Sequence, residues 1–319
     1  MRTRRGSVEV VHWRSPSKGS VTAVLVVVAL LASCSAPGGD GSPAAGAPRQ
    51  TTTTVRYGPF AVPPAKGPMR HMHGMGGSGV LTKVLLDVPK PCEDCWLTGF
   101  RPELTAPDGR RLGASSDVML HHLVLADGLP SCGVTADADP RFFAAGSELS
   151  SGRLPNGYGY RVPAGDRWGA VIELMNSGSE QHLVYVDVAF RHTAAPQRDV
   201  VPLWLDVGPC PASAYAVPAG RSVRARTYML GVSGRVVAAV GHLHPGGVRV
   251  SAVDQTTGRT VCTSRANASL RTVRSMGECV GSGLPFVHRG DRLRITSVYD
   301  APGPERGAMG IMLAFVAPR

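Results

Sequence analysis

His242 and His244, two residues apart, and Met309 further along are the residues whose types and spacing most directly suggest chemistry. Residues i and i+2 of a β-strand project from one face, so His242-Leu243-His244 offers two imidazoles side by side. With a thioether they form a soft-to-borderline donor set. Such a set suits copper, whereas calcium and magnesium want oxygen ligands. The plainer reading is two surface histidines near the turn at Pro245-Gly246-Gly247, whose glycines permit a tight turn. Met309 and Met312 are three apart and face opposite ways in a strand, so only one can serve a site. Met309 shares its side with Ile311, Leu313 and Phe315, and it could equally be a core methionine.

A second pair, His121-His122, lies upstream. Adjacent strand residues face opposite sides, so both reach one metal only at a bend or an edge. The alternative is one core and one exposed histidine. Asp127, or another nearby acceptor, could orient a ring from behind. His71-Met72-His73-Gly74-Met75 is also rich in copper-type donors, but its glycines read as a solvated loop. The same stretch holds Gly74-x-Gly76-x-x-Gly79, which no strand precedes and no helix follows, so the dinucleotide fingerprint is a chance match. There is no His-Glu-x-x-His, no Gly-x-Ser-x-Gly and no P-loop.

These residues need elements to hold them, and the pattern is of strands. Short apolar or alternating runs recur at 80–88, 118–126, 168–175, 183–190, 201–207, 223–230, 235–241, 248–254, 292–299 and 308–316, separated by Gly, Pro, Asp and Asn. Val184, Val186, Val188 and Phe190 give the alternation of a half-buried strand. Many short strands with such turns predict an all-β sandwich or jelly roll. The best seam is 194–198, which leaves β-sandwich domains at 57–197 and 198–319 with one histidine pair in each.

Residues 1–33 read as a signal peptide, with a basic start at Arg2, Arg4, Arg5, Arg14 and Lys18 and an apolar run at 21–31. Leu31-Ala32-Ser33-Cys34 resembles the lipobox of bacterial lipoproteins, which predicts lipidation of Cys34 and tethering to the membrane outside the cytoplasm. Residues 34–56, rich in Ser, Pro, Gly, Ala and Thr, read as a flexible stalk. The whole chain carries a formal charge of +11. Beyond residue 33 the scattered charges and the lack of interleaved aromatics argue against nucleic-acid binding. Six cysteines remain after Cys34: Cys92, Cys95, Cys132, Cys210, Cys262 and Cys279. An even count in an exported chain predicts disulfides. Cys262 with Cys279 is the favoured pair, and Cys92 with Cys95 reads as structural because the βαβ context of a redox motif is missing.

Together these residues resemble the copper type II, ascorbate-dependent monooxygenases, which include the peptidylglycine hydroxylating and dopamine β-monooxygenases. The layout is closer still to the stress-upregulated nodulin family. The motifs are Pro91-Cys92-x-x-Cys95, Met119-Leu120-His121-His122-Leu123-Val124-Leu125, Cys210 with Val217-Pro218-Ala219-Gly220, Gly241-His242-Leu243-His244-x-Gly246-Gly247, and Gly307-Ala308-Met309-Gly310. They cover roughly residues 57 to 319 and are strongest in the second half. The resemblance implies two jelly-roll-like domains, each with a copper. One copper would sit on His242, His244 and Met309, where oxygen is activated and a small-molecule or peptide substrate hydroxylated. The other, an electron-transfer copper, would use His121 and His122. Its third histidine is expected in the strand at 171–176, which has none, so Met175 or His182 would have to substitute. Without that third ligand the second copper would be weak or absent and the protein a copper capture or delivery protein without turnover, with copper still held at His242 and His244; a structural or interaction module with vestigial histidines is a separate alternative.

Overall fold

A computed structural model describes residues 9–12, 50–66, 78–113, 116–133, 135–148, 151–268 and 273–319. Cys34 and the His71–Met75 segment lie outside them. Among the described residues every regular element is a strand. The first half contains β1 (Glu9–His12), β2 (Thr51–Val62), β3 (Val80–Val88), β4 (Cys95–Thr105), β5 (Val118–Asp127) and β6 (Arg141–Gly146). It continues with β7 (Gly152–Arg153), β8 (Tyr158–Val162), β9 (Trp168–Asn176), β10 (His182–Thr193) and β11 (Arg198–Asp199). The second half contains β12 (Val201–Asp206), β13 (Tyr215–Val217), β14 (Gly220–Met229), β15 (Gly234–Leu243), β16 (Gly247–Asp254) and β17 (Thr260–Ala268). It ends with β18 (Val273–Met276), β19 (Glu278–Val280), β20 (Phe286–Val287), β21 (Arg292–Ala301), β22 (Glu305–Ala308) and β23 (Gly310–Pro318).

In the first half, the sheet β1-β3-β9-β5-β6 packs on the sheet β11-β8-β4-β10-β2. The core between them takes the inward residues of each strand, such as Leu120, Leu123 and Leu125 of β5, Ile172 and Leu174 of β9, and Val184, Val186, Val188 and Phe190 of β10. Phe100 stacks on Phe143 at 4.5 Å and Phe142 lies 4.8 Å from Trp168. Each fully buried side chain of this size is worth about 1.5–3 kcal/mol, so the alternation read from the sequence is what holds the layer pair together. The second half repeats the plan. The sheet β12-β23-β15-β19 covers the sheet β14-β21-β16-β17-β18, with Leu203, Leu205, Val236, Val250, Ile295, Met312 and Val316 between them.

The two halves then meet sheet to sheet. Ile311, Leu313, Phe315 and Ala317 of β23, with Val237 and Ala238 of β15 and Trp204 of β12, face away from their own core. They pack against Leu154, Val124, Ala144 and Tyr160 of the first half. A sheet buried on both faces has no polar side to show, which is why β23 reads Ile-Met-Leu-Ala-Phe-Val-Ala without a break.

Three boundaries differ from the expectations. Thr51–Arg56, expected within the flexible stalk, begins β2 and pairs with β10, Thr51 opposite His192 and Arg56 opposite Asp187. A run of β-branched threonines fits a pleated edge strand, and Arg56 adds a two-pronged ion pair with Asp187 at 2.8 Å. Arg198 and Asp199, expected to open the second domain, still pair with β8 of the first. Glu9–His12, within the expected signal peptide, runs parallel to β3 at that sheet's edge; a chain cleaved before Cys34 would lack this strand.

The disulfides are Cys92–Cys95, Cys132–Cys210 and Cys262–Cys279. The first and third are the expected pairs. Cys132–Cys210 spans 78 residues and joins the loop after β5 to the loop after β12, stapling the halves beside their interface. On the chain-entropy argument a loop of that length stabilises by about 4 kcal/mol. A Cys132→Ser/Cys210→Ser variant is therefore expected to lose about 2–5 kcal/mol in denaturant unfolding, and a loss near zero would show that the staple does not constrain the chain.

Asp206 ends β12 beside the same interface. Burial pushes its carboxyl from the ordinary 3.8 up to about 6, while Ser213, the Gly208 N–H, Arg141 and Arg226 pull it back. A carboxyl raised on folding contributes stability that is full below pH 3.8 and is lost as pH rises through about 6. Asp206→Asn should remove that decline, which is worth on the order of 2–3 kcal/mol by pH 8. Unfolding midpoints measured from pH 4 to 8 with an unchanged slope in the variant would contradict it.

Candidate metal centre

The two histidine pairs, expected in separate sites, lie in one cluster. His122 Nε2 stands 3.0 Å from His244 Nε2, although the residues are 122 apart in sequence. Ring centroids are 4.1 Å apart for His121–His122, 5.0 Å for His121–His244, 5.2 Å for His122–His244 and 5.1 Å for His242–His244. One donor atom each of His121, His122 and His244 lies within 4.8 Å of the others. His242 flanks this trio, 5.4 Å from His122.

Local structure explains how each ring arrives there. Along β5 the pairing with β9 slips between Leu120 and His122, Leu120 facing Leu174 and His122 facing Glu173. The extra residue is His121. A bulge of this kind bends the strand and re-aims a side chain, so two neighbouring histidines share a face that a regular strand would deny them. On β15 no such device is needed. His242 pairs with Ile311 and Leu243 with Gly310, so His242 and His244 follow the two-residue repeat, and Leu243 points into the second core. At Gly146 an added Cβ would lie 2.7 Å from His242 Cε1 and 2.6 Å from Glu148 Oε2. Glycine there is what lets the first half approach the β15 histidine.

Three of the four rings are held from behind through Nδ1. His121 Nδ1 donates to Glu173 Oε1 at 2.6 Å, His242 Nδ1 to Glu148 Oε1 at 3.1 Å, and His244 Nδ1 to the Gly307 carbonyl at 2.5 Å. These tautomers follow from the acceptors, since a carboxylate or carbonyl cannot donate. Each ring, when neutral, then presents a bare Nε2 lone pair. This is how metal-binding histidines are oriented, with the far nitrogen anchored to a carboxylate or a backbone carbonyl. His242 Nε2 is buried and has no hydrogen-bond partner. An orphaned buried nitrogen is costly unless something fills its place.

Electrostatics push the rings in different directions. Burial, followed by the neighbouring His121, His244 and His242, holds His122 well below its ordinary pKa, so this ring is neutral. At His242 burial pulls the value down, but the Glu148 carboxylate outweighs it and the net shift is upward. Glu148 in turn is raised by burial and lowered further by His242, so it stays ionised. With His244 Nε2 bare, His122 can either donate its own proton to it or turn that nitrogen bare as well and share a cation. Two nitrogens bound at about 2.0–2.1 Å to one ion sit roughly 3 Å apart, the separation found here.

Met309 precedes β23 and lines the cavity into which the histidines open, whereas Met312 is sealed in the second core. The opposite-face reading of the two methionines is therefore right. The Tyr299 hydroxyl fixes this corner, bonding the main chain of both His244 and Met309. The suggested substitute ligands need correction. Met175 is buried on β9 without lining the cavity, and His182 starts β10 in the other sheet of the first half. The position beside His121 belongs instead to Glu173, which also accepts from Thr82 at 3.2 Å. Asp127 lies exposed at the far end of β5. Glu148 and Glu173 carried no motif, although a lone glutamate in the apolar run Ala170–Met175 was a signal that a buried charge must have a partner. Cys92, Cys95 and His192 also lie together, but the two sulfurs are already joined.

No family model matches the chain. It is similar to the probable copper-dependent oxygenase M1 of Phoma sp., with 23% identity over 296 residues, covering 84% of this chain and 72% of that protein. At that distance the match supports a copper-oxygenase-like relationship and no finer one.

If the two carboxylates set the tautomers of His121 and His242, Glu173→Gln and Glu148→Gln should each weaken copper affinity about 10–100-fold. Competition with a chelator of known affinity reads this directly. Unchanged affinity in both would show that the rings are held without them.

Proposed function

We propose that this protein binds one copper ion between its two halves, through His121, His122 and His244 with His242 alongside, and uses it as an extracytoplasmic copper-dependent oxygenase. The observation that carries the reading is the approach of His122 and His244 across the interface, each with a nitrogen available for a common cation. Imidazole donors suit copper, zinc and iron alike. Copper is favoured by the soft Met309 on the same cavity and by the distant copper-oxygenase relative. Copper bound there would supply one-electron exchange with oxygen. The chain's own part is to anchor three of the four imidazoles through Nδ1, with His122 beside them, to bury them from bulk water, and to present a cavity beside them.

The finer parts of the reading rest on sequence. Two tandem jelly-roll domains, cleavage of residues 1–33, lipidation of Cys34 and attachment to the outer face of a membrane fit the lipobox-like Leu31-Ala32-Ser33-Cys34 and the three disulfides. A second reading is copper capture without turnover. The single cluster favours it, because a route with separate oxygen-activating and electron-transfer coppers would need two.

Elemental analysis of purified protein loaded with Cu(I) tests the reading. One copper per chain is expected, lost in His122→Ala and equally in His244→Ala, although these lie in different halves. Oxygen consumption with ascorbate by the loaded protein then separates oxygenase from capture. Two coppers per chain, each lost with only one histidine pair, would restore two independent sites, and no copper would remove both readings.

A further inference from the structure

We infer that the cavity beside the histidines takes an uncharged, predominantly apolar small molecule, and not a peptide or a charged organic molecule. The inference deepens the oxygenase reading and relies on it only for what happens after binding. The cavity is about 480 Å³, within the range of small-molecule sites, about 300–1,000 Å³. It lies where the inner sheets face each other, and its walls are the outward residues of their strands: Val84, Val124, Val171, Val240, Ile311 and Leu313.

The charged side chains on its lining, Arg141, Glu148 and Glu173, are all committed. Arg141 is clamped by Asp139, with Nε donating to Oδ1 at 2.7 Å, and its guanidinium lies 4.1 Å over the Trp204 ring. Glu173 serves His121 and Thr82, and Glu148 serves His242 and the Gly146 N–H. In the metal-free protein a charged ligand would therefore lose its water with no uncommitted charged side chain to meet it, and an unpaired buried charge is among the costliest groups to place. A peptide would bring one donor and one acceptor per residue to walls whose surface is mostly apolar.

The test uses metal-free protein, so that binding is read apart from copper. The probe is Prodan, a neutral naphthalene ketone whose fluorescence rises in apolar surroundings. Its competitors are phenylnaphthylamine, which is apolar without an acceptor oxygen, and anilinonaphthalene sulfonate, which is anionic. Prodan is expected to bind one per chain, with the sulfonate at least ten-fold weaker. Val171→Trp and, independently, Val84→Trp should each abolish Prodan binding by filling the cavity while copper stoichiometry is kept. Phenylnaphthylamine, equally apolar and uncharged, should displace Prodan. Sulfonate binding as tight as Prodan, or Prodan binding that survives both filling variants, would overturn the apolar assignment. Loss of copper binding with probe binding intact would defeat the copper reading alone.

Discussion

Everything distinctive in this molecule depends on two imidazole nitrogens meeting 3.0 Å apart across the boundary between its halves. Neither half brings His122 and His244 together by itself. Two bare imidazole lone pairs repel, and a proton or a cation must lie between them. The fold has arranged for the choice to be narrow, because His244 has spent its other nitrogen on Gly307 and His121 and His242 have spent theirs on glutamates. The cluster therefore presents nitrogen lone pairs to one small volume, walled by residues that exclude water.

The cost of that arrangement is visible in what surrounds it. Two glutamate side chains are buried behind the rings, and each is kept by a histidine and a further donor, Thr82 for Glu173 and the Gly146 N–H for Glu148. The interface is secured by apolar packing of β12, β15 and β23 on β5 and β6 and by the Cys132–Cys210 bridge. It is also interlocked, since Ala136 of the first half sits in the second core and its carbonyl receives the Trp204 main-chain N–H. A site shared by two units needs such fixing, because a shift of about 1 Å between the sheets would undo a ligand geometry held to tenths of an ångström.

Much of the fold was legible in the residues themselves. The alternation of β10 and the two-residue spacing of His242 and His244 are local facts that survive folding unchanged, and so is the opposite facing of Met309 and Met312. The favoured disulfide pairs were legible because their cysteines are near in sequence. What escaped was whatever depended on register or on distant neighbours. A bulge at His121 leaves no compositional mark, so adjacency argued against a shared site for His121 and His122 when the slip in pairing creates one. The juxtaposition of β5 with β15 rests on the outward faces of two sheets, and periodicity shows which face is apolar but not what covers it. The stalk boundary failed for a related reason, since a polar threonine run looks disordered until a partner strand is found for it.

The most direct test of the central claim is pulsed electron paramagnetic resonance on the Cu(II)-loaded protein, counting coupled imidazole nitrogens. A single copper signal coupled to at least three imidazoles, and altered alike by His122→Ala and by His244→Ala, would mean that the two halves share one metal. Two distinct signals, one changed only by the β5 histidine and the other only by the β15 histidine, would contradict it.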